Sequence, residues 1–181
     1  MSGATQVSQW YAAYTKHNHE RKVAAFLSQK EVEVFLPLYL SVRQWKDRKK
    51  RLSLPIFPGY VFFRLPLDKR ATVLGTPGVF FIVESGGKAS PIPVQDIQSM
   101  QIMMNSQAAI APHPFLHTGD RVRITRGPLE GVVGILQRMK SQYRLVLCVE
   151  ALRQAIAVEI DSADVEKSSD PLAKAASGPY S

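Results

Sequence analysis

The sequence predicts an α+β protein: an α/β sandwich built on an antiparallel sheet flanked by helices, followed by a small β-barrel. Three observations predict it. Up to residue 107, segments alternate as strand, helix, strand, strand, helix, strand, helix. Periodicity is then lost over a stretch carrying Ala108, Ala109, Pro112 and Pro114. Beyond residue 118 only short β segments separated by turn signals remain, with no clear amphipathic helix.

Each element has a local reason. Residues 10–15 form a short strand rich in aromatics, Trp10, Tyr11 and Tyr14. Asn18 can cap the helix that follows, with Glu20 in its first turn, where the dipole favours an anion. Val23, Phe26, Leu27 and Lys30 recur at helical spacing, so a narrow apolar stripe lies on a sheet. Residues 32–45 are rich in β-branched and aromatic residues and broken by Pro37, which suits two strand pieces. The run Lys46-Asp47-Arg48-Lys49-Lys50-Arg51 is too charged to bury and belongs at an exposed hairpin tip. Pro58-Gly59 marks a bend, and residues 60–63 are strand-like. A short helix over residues 68–74 ends at Gly75-Thr76-Pro77-Gly78, before another apolar strand over residues 79–83. Gly86-Gly87 is a tight turn, and Pro93 precedes a helix in which Ile97, Met100 and Met104 recur at three- and four-residue intervals.

The divisions that follow are a polar tail (1–8), a first domain (9–107), a linker (108–117), a barrel domain (118–167) with strands over 121–125, 132–137, 143–149 and 155–160, and a disordered tail (168–181) rich in Ser, Ala, Pro and Gly.

Composition narrows the function. With 45% hydrophobic and 21% charged residues, the 181-residue chain has the make-up of a soluble globular protein with a packed core. One cysteine, Cys148, cannot form an internal disulfide, and no secretory signal or apolar run of membrane-spanning length is visible, so a cytoplasmic protein is expected. The net charge of +8 points to a polyanionic partner.

Catalysis and metal binding find little support. Gly127, Gly131 and Gly134 lack the Gly-Lys-Ser/Thr of a phosphate loop and read as turn and bulge positions. His17 and His19 stand two apart, on different faces of a helix, with no further His or Cys nearby, so no metal is expected. A nucleophile paired with a base is equally hard to assemble, and neither enzymatic activity nor a cofactor is expected. Along residues 60–63, alternation sends Tyr60 and Phe62 to one face and Val61 and Phe63 to the other. One face can then be core while the other forms an apolar partner surface. The basic run is read equally as a solvated tip or a nucleic-acid contact.

Two stretches together resemble the NusG family. Trp10-Tyr11, then Glu20 with Arg21-Lys22-Val23, then Phe57-Pro58-Gly59-Tyr60-Val61 look like that family's first domain with its Phe-Pro-Gly-Tyr signature. Gly119-Asp120-Arg121-Val122-Arg123-Ile124, with Gly127-Pro128-Leu129-Glu130-Gly131 and Gly134, looks like the KOW motif of an SH3-like barrel. The resemblance implies a monomeric transcription elongation and antitermination factor. Its first domain would pack an apolar patch on the clamp helices of RNA polymerase. By position the patch includes Tyr14, Phe57, Tyr60 and Phe62, while Lys16, Arg21 and Lys22 would touch non-template DNA. A gate-loop contact aligns with Lys69-Arg70-Ala71-Thr72, where Thr72 alone keeps the hydroxyl of specialised, RfaH-like members. The barrel would meet a small-subunit ribosomal protein or a termination factor through Leu152, where housekeeping members tend to carry Phe. Leu152 and Tyr14 lean toward a specialised paralogue. The competing reading is a ribosome-associated or RNA-binding KOW protein, which leaves the signature over residues 57–63 without a role. In RfaH-like members the second domain can refold as a helical hairpin. Here Gly127, Pro128, Gly131 and Gly134 disfavour that helix by roughly 6 kcal/mol, and a retained barrel is expected.

Overall fold

A computed structural model describes residues 7–44, 49–115, 119–138 and 142–168. The expected polar tail before residue 7, the head of the basic run, the end of the linker, the Lys140-Ser141 turn and the C-terminal tail from residue 169 lie outside the described residues.

The first sheet has the order β2-β5-β1-β6, all antiparallel, from β1 (Gln9–Thr15), β2 (Glu33–Phe35), β5 (Tyr60–Leu65) and β6 (Val79–Ile82). β1 and β5 are its centre, which is why both read as near-continuous apolar runs. Alternation divides them between two layers. Tyr11, Ala13, Val61 and Phe63 cluster with Val23 and Leu27 of α1 (Glu20–Gln29) and Val73 of α2 (Arg70–Leu74). Trp10, Ala12 and Phe62 cluster with Ile97, Met100 and Met103 of α3 (Val94–Asn105). Between β2 and β5 the chain leaves the sheet as a hairpin, β3 (Leu38–Gln44) and β4 (Lys49–Pro55), a two-stranded sheet of its own. A smaller hairpin, β7 (Glu84–Ser85) and β8 (Lys88–Ala89), turns at Gly86-Gly87 as expected.

Asn18 does not cap α1. It takes the left-handed conformation at φ 59°, which Asn tolerates, and the helix starts after His19 with no side-chain cap.

The second half is a six-stranded antiparallel barrel sheet, order β14-β10-β11-β12-β13-β9, from β9 (Ile110–His113), β10 (Asp120–Ile124), β11 (Val133–Arg138), β12 (Tyr143–Val149), β13 (Gln154–Ile160) and β14 (Val165–Lys167). The segment 133–138 is a strand, so the barrel is retained. β9 falls inside the expected linker. Pro112 and Pro114 obscured it, and Pro112 is accommodated because β9 is an edge strand. Gly134 is neither a turn nor a bulge position: it pairs with Val122 inside β11, and close backbone approach requires glycine there, because a Cβ would stand 2.7 Å from the Val146 carbonyl oxygen.

The two halves share one hydrophobic cluster. It joins Trp10, Phe62, Ile97, Met100 and Met103 to Val122, Leu145, Leu147 and Ile156 of the barrel. At the same seam the Val133 N–H donates to Ser99 Oγ at 3.3 Å.

Candidate functional site

The signature Phe57-Pro58-Gly59-Tyr60 is a tight turn closed by Tyr60 N–H to the Phe57 carbonyl at 3.1 Å. Pro58 stands at the second position and Gly59 at the third with φ 85°, the arrangement of a type II turn. Glycine is required twice over, because a Cβ at Gly59 would stand 2.9 Å from the Tyr14 ring. Three hydrogen bonds tie the turn to its surroundings. The Gly59 N–H donates to the buried Glu20 carboxylate at 2.7 Å, and the Gly59 carbonyl accepts from Thr15 N–H at 2.8 Å and Thr15 Oγ1 at 3.3 Å.

This turn positions a surface aromatic cluster. Tyr14 faces Tyr60 on one neighbouring strand and Phe81 on the other, and ring centroids lie 5.2 Å and 5.0 Å apart, with Phe80 at 6.1 Å. Phe80 and Phe81 are 61% and 50% exposed, while Tyr14 and Tyr60 are half-buried. Burial, reinforced by the neighbouring Tyr14, raises the Tyr60 pKa above its ordinary value. The patch offers flat apolar faces edged by two phenols, which suits a protein partner.

Of the residues assigned to the patch by position, the structure brings Tyr14 and Tyr60 together at the surface. Phe57 and Phe62 are 1% and 0% exposed and pack edge to face at 5.7 Å. They form the floor of the patch and offer a partner no surface. Thr72 belongs to the opposite layer: it lies on α2, whose Val73 packs with Tyr11 and Phe63, and its carbonyl accepts from Lys30 Nζ and Thr76 Oγ1. Phe80 and Phe81 were missed because their segment reads as a buried strand. The register between β1 and β6 shifts at Tyr14/Thr15, leaving Phe80 as an extra residue on the edge strand.

Lys16, Arg21 and Lys22 are exposed around the start of α1. Leu152, in the 3-10 turn Glu150–Leu152, is only 6% exposed and belongs to the shared cluster. Glu150 of the same turn acts electrostatically on Asp96 of α3, which places this turn along the seam between helix and barrel. Among the described residues no group of three or more His, Cys, Asp or Glu could hold a metal, and no helix is long and apolar enough to cross a membrane.

Comparison with known proteins follows the same lines. The family model described as "Transcription termination factor nusG" matches residues 8–103, more than half of the chain. A Helicobacter pylori (strain J99) relative named transcription termination/antitermination protein NusG is 27% identical over 174 residues, covering 87% of this chain and 97% of its own. A Pseudomonas aeruginosa relative of the same name is 25% identical, covering 87% and 94%. Among solved structures, "Domain interaction in Thermotoga maritima NusG" is similar in fold, with a TM-score of 0.54 at 22% identity and 91% of this chain covered.

Proposed function

The chain belongs to the NusG family of transcription factors, and on that footing we propose that it binds RNA polymerase through the Tyr14, Tyr60, Phe80 and Phe81 patch and suppresses pausing or termination. The observation that carries this reading is the exposure of two adjacent phenylalanines, held against Tyr14, which itself packs on Tyr60 of the next strand. Solvent-facing aromatic clusters of this kind anchor protein interfaces. The occupant expected from the family is the pair of clamp helices. Lys16, Arg21 and Lys22 then face the non-template strand, and Thr72, on the other layer, is assigned to the gate loop.

No chemistry is required of such a factor. A protein that bridges two sides of the polymerase cleft favours the closed, elongating state by its differential affinity for that state over the paused one. On this reading residues 9–107 are the polymerase-binding domain and residues 118–167 the KOW domain. The barrel meets a small-subunit ribosomal protein or a termination factor at the turn carrying Leu152, and because that leucine is buried the seam with α3 opens for it.

The experiment is a binding and pausing assay with purified bacterial RNA polymerase. The full chain binds the polymerase and shortens pauses, and Phe81→Ser weakens both while the fold is kept. Capture of ribosomes in place of polymerase would support the competing reading as a ribosome-associated protein and overturn this one.

A further inference from the structure

The β3–β4 hairpin joins neither main sheet, and among the described residues β3 pairs with β4 alone. At its root the Ile56 N–H donates to the Pro37 carbonyl at 3.0 Å, while the Ser53 carbonyl is turned outward and accepts from Arg21 Nη2 at 2.9 Å. These two bonds fix the phase of the ladder. Tyr39↔Leu54 and Ser41↔Leu52 are the hydrogen-bonded pairs, and Leu38↔Pro55, Leu40↔Ser53 and Val42↔Arg51 are the open ones, whose backbone groups point away from the paired strand. Pro55 agrees with that phase, since it has no N–H to give the ladder. Arg21 therefore occupies the outer edge of β4 at Ser53, and the outer edge of β3 presents the N–H and C=O groups of Leu38, Leu40 and Val42.

The same three residues share one face of the ribbon, where Leu40 and Val42 are 72% and 61% exposed. Beside them lies a cavity of about 380 Å³, bordered by Leu38, Tyr39 and Leu40 and, across from these, by Met104 and residues 106–110. Three consecutive residues of β3 border it, as they do for a groove running along a backbone edge and not along one face. On the face of Leu40 and Val42, exposed Arg51 stands across from Val42, and exposed Lys49 across from Gln44 toward the tip. No Asp or Glu occurs in residues 38–44 or 49–55.

We infer that the outer edge of β3 takes up an extended segment of a partner protein as a third strand. That segment is apolar at alternate positions where it lies in the groove, and acidic where it passes Arg51 and Lys49. Backbone bonds to Leu38, Leu40 and Val42 hold it, and its alternate side chains select it. An unprotected apolar edge is a template for another strand, and a two-stranded ribbon, marginally stable in water, gains from a third. Charge complementarity sets the acidic end, because an arginine side chain is long enough to reach over the small Val42. A nucleic acid would engage the cations and leave the backbone edge and the groove without a role. A second copy of the ribbon brings no carboxylate to meet Arg51. The edge is separate from the Phe80 and Phe81 patch, which lies on β6, at the opposite side of the first sheet from β2, so the two readings stand independently.

The test is fluorescence anisotropy of the full chain with a labelled peptide of about ten residues, the length of a long strand. Thr takes every second position, and the positions between carry Val in one half and Glu in the other. This peptide is expected to bind saturably, and a version with Lys for Glu to bind about fivefold more weakly, as the loss of exposed ion pairs allows. Arg51→Glu should reverse that order. N-methylation at the Val and Glu residues removes the donors that face β3 and should abolish binding, whereas N-methylation at the Thr residues points outward and should be tolerated. Leu40→Pro deletes an outward N–H without breaking a β3–β4 bond and should also abolish binding. Should that variant melt early, the methylated peptides make the same test on the unaltered chain. The proposal is overturned by absent binding of the acidic peptide, or by equal affinity for the Glu and Lys forms. Binding that survives both N-methylation at Val and Glu and Leu40→Pro, but is lost in Arg51→Glu, would mark a plain polyanion site and also overturn it. A dimer in sedimentation that Leu40→Pro dissolves would give the edge to a second copy instead.

Discussion

Glu20 and Gly59, 39 residues apart in sequence, are joined by a buried hydrogen bond of 2.7 Å from the Gly59 N–H to the Glu20 carboxylate. It fastens the first turn of α1 to the turn that sets the height of Tyr60 and Tyr14. A charged acceptor makes the bond roughly twice as strong as a neutral one.

Glu20→Ala is therefore expected to leave the Gly59 N–H buried without a partner, at about 1–3 kcal/mol of stability. Glu20→Gln keeps an acceptor and should lose less. Urea unfolding of the two variants checks this order. Equal losses would mean that the carboxylate contributes only packing.

The patch and its floor should separate by experiment. Phe81→Ser and Phe80→Ser remove exposed rings and should leave the melting temperature nearly unchanged while weakening polymerase affinity, by about 2 kcal/mol for a central anchor. Phe57→Ala and Phe62→Ala empty core positions and should cost about 3–5 kcal/mol of stability. Melting curves beside polymerase titrations distinguish the two classes. A Phe81 variant that melts early and binds normally would return that ring to the core.

The fold was legible where local chemistry and tertiary structure agree. The central strands, α1, the two-part helix before Gly75 and the Gly86-Gly87 turn follow from periodicity and turn residues. β9 was not legible, because two prolines mask a strand that only the free edge of β13 makes possible. The site was half legible. The family resemblance located Tyr14 and Tyr60, but alternation alone could not tell that α3 and the barrel cover Phe62 while a bulge turns Phe80 outward. Leu152 and Asp96 are buried by the seam between the two halves, a long-range packing that leaves no periodic trace.

Gly134 tests the barrel. A methyl group there would stand 2.7 Å from the Val146 carbonyl oxygen and 3.0 Å from Leu145 Cγ, and backbone cannot yield cheaply. Gly134→Ala should cost about 1–3 kcal/mol, as overpacking does. Chemical shifts of β11 and β12 should move while those of β1 and β5 stay in place. Shifts throughout the first sheet would instead indicate that the barrel and sheet unfold as one unit.

Asp96 gives the seam a pH dependence. Burial pushes its carboxyl from an ordinary 3.8 to about 6; Arg121 opposes the rise and Glu150 adds to it. A carboxyl with a raised folded-state pKa favours the folded protein when protonated. Its contribution is full below about pH 3.8 and is lost as pH climbs through about 6, because the unfolded chain ionises first. The difference of roughly two units corresponds to about 3 kcal/mol. Asp96→Asn removes the charge and should stabilise the protein by up to about that amount at pH 8, with little effect near pH 4, where aspartate and asparagine are both neutral. Urea unfolding at the two pH values measures it. A gain of the same size at both would show that the substitution acts through packing and that the buried charge at the seam costs nothing.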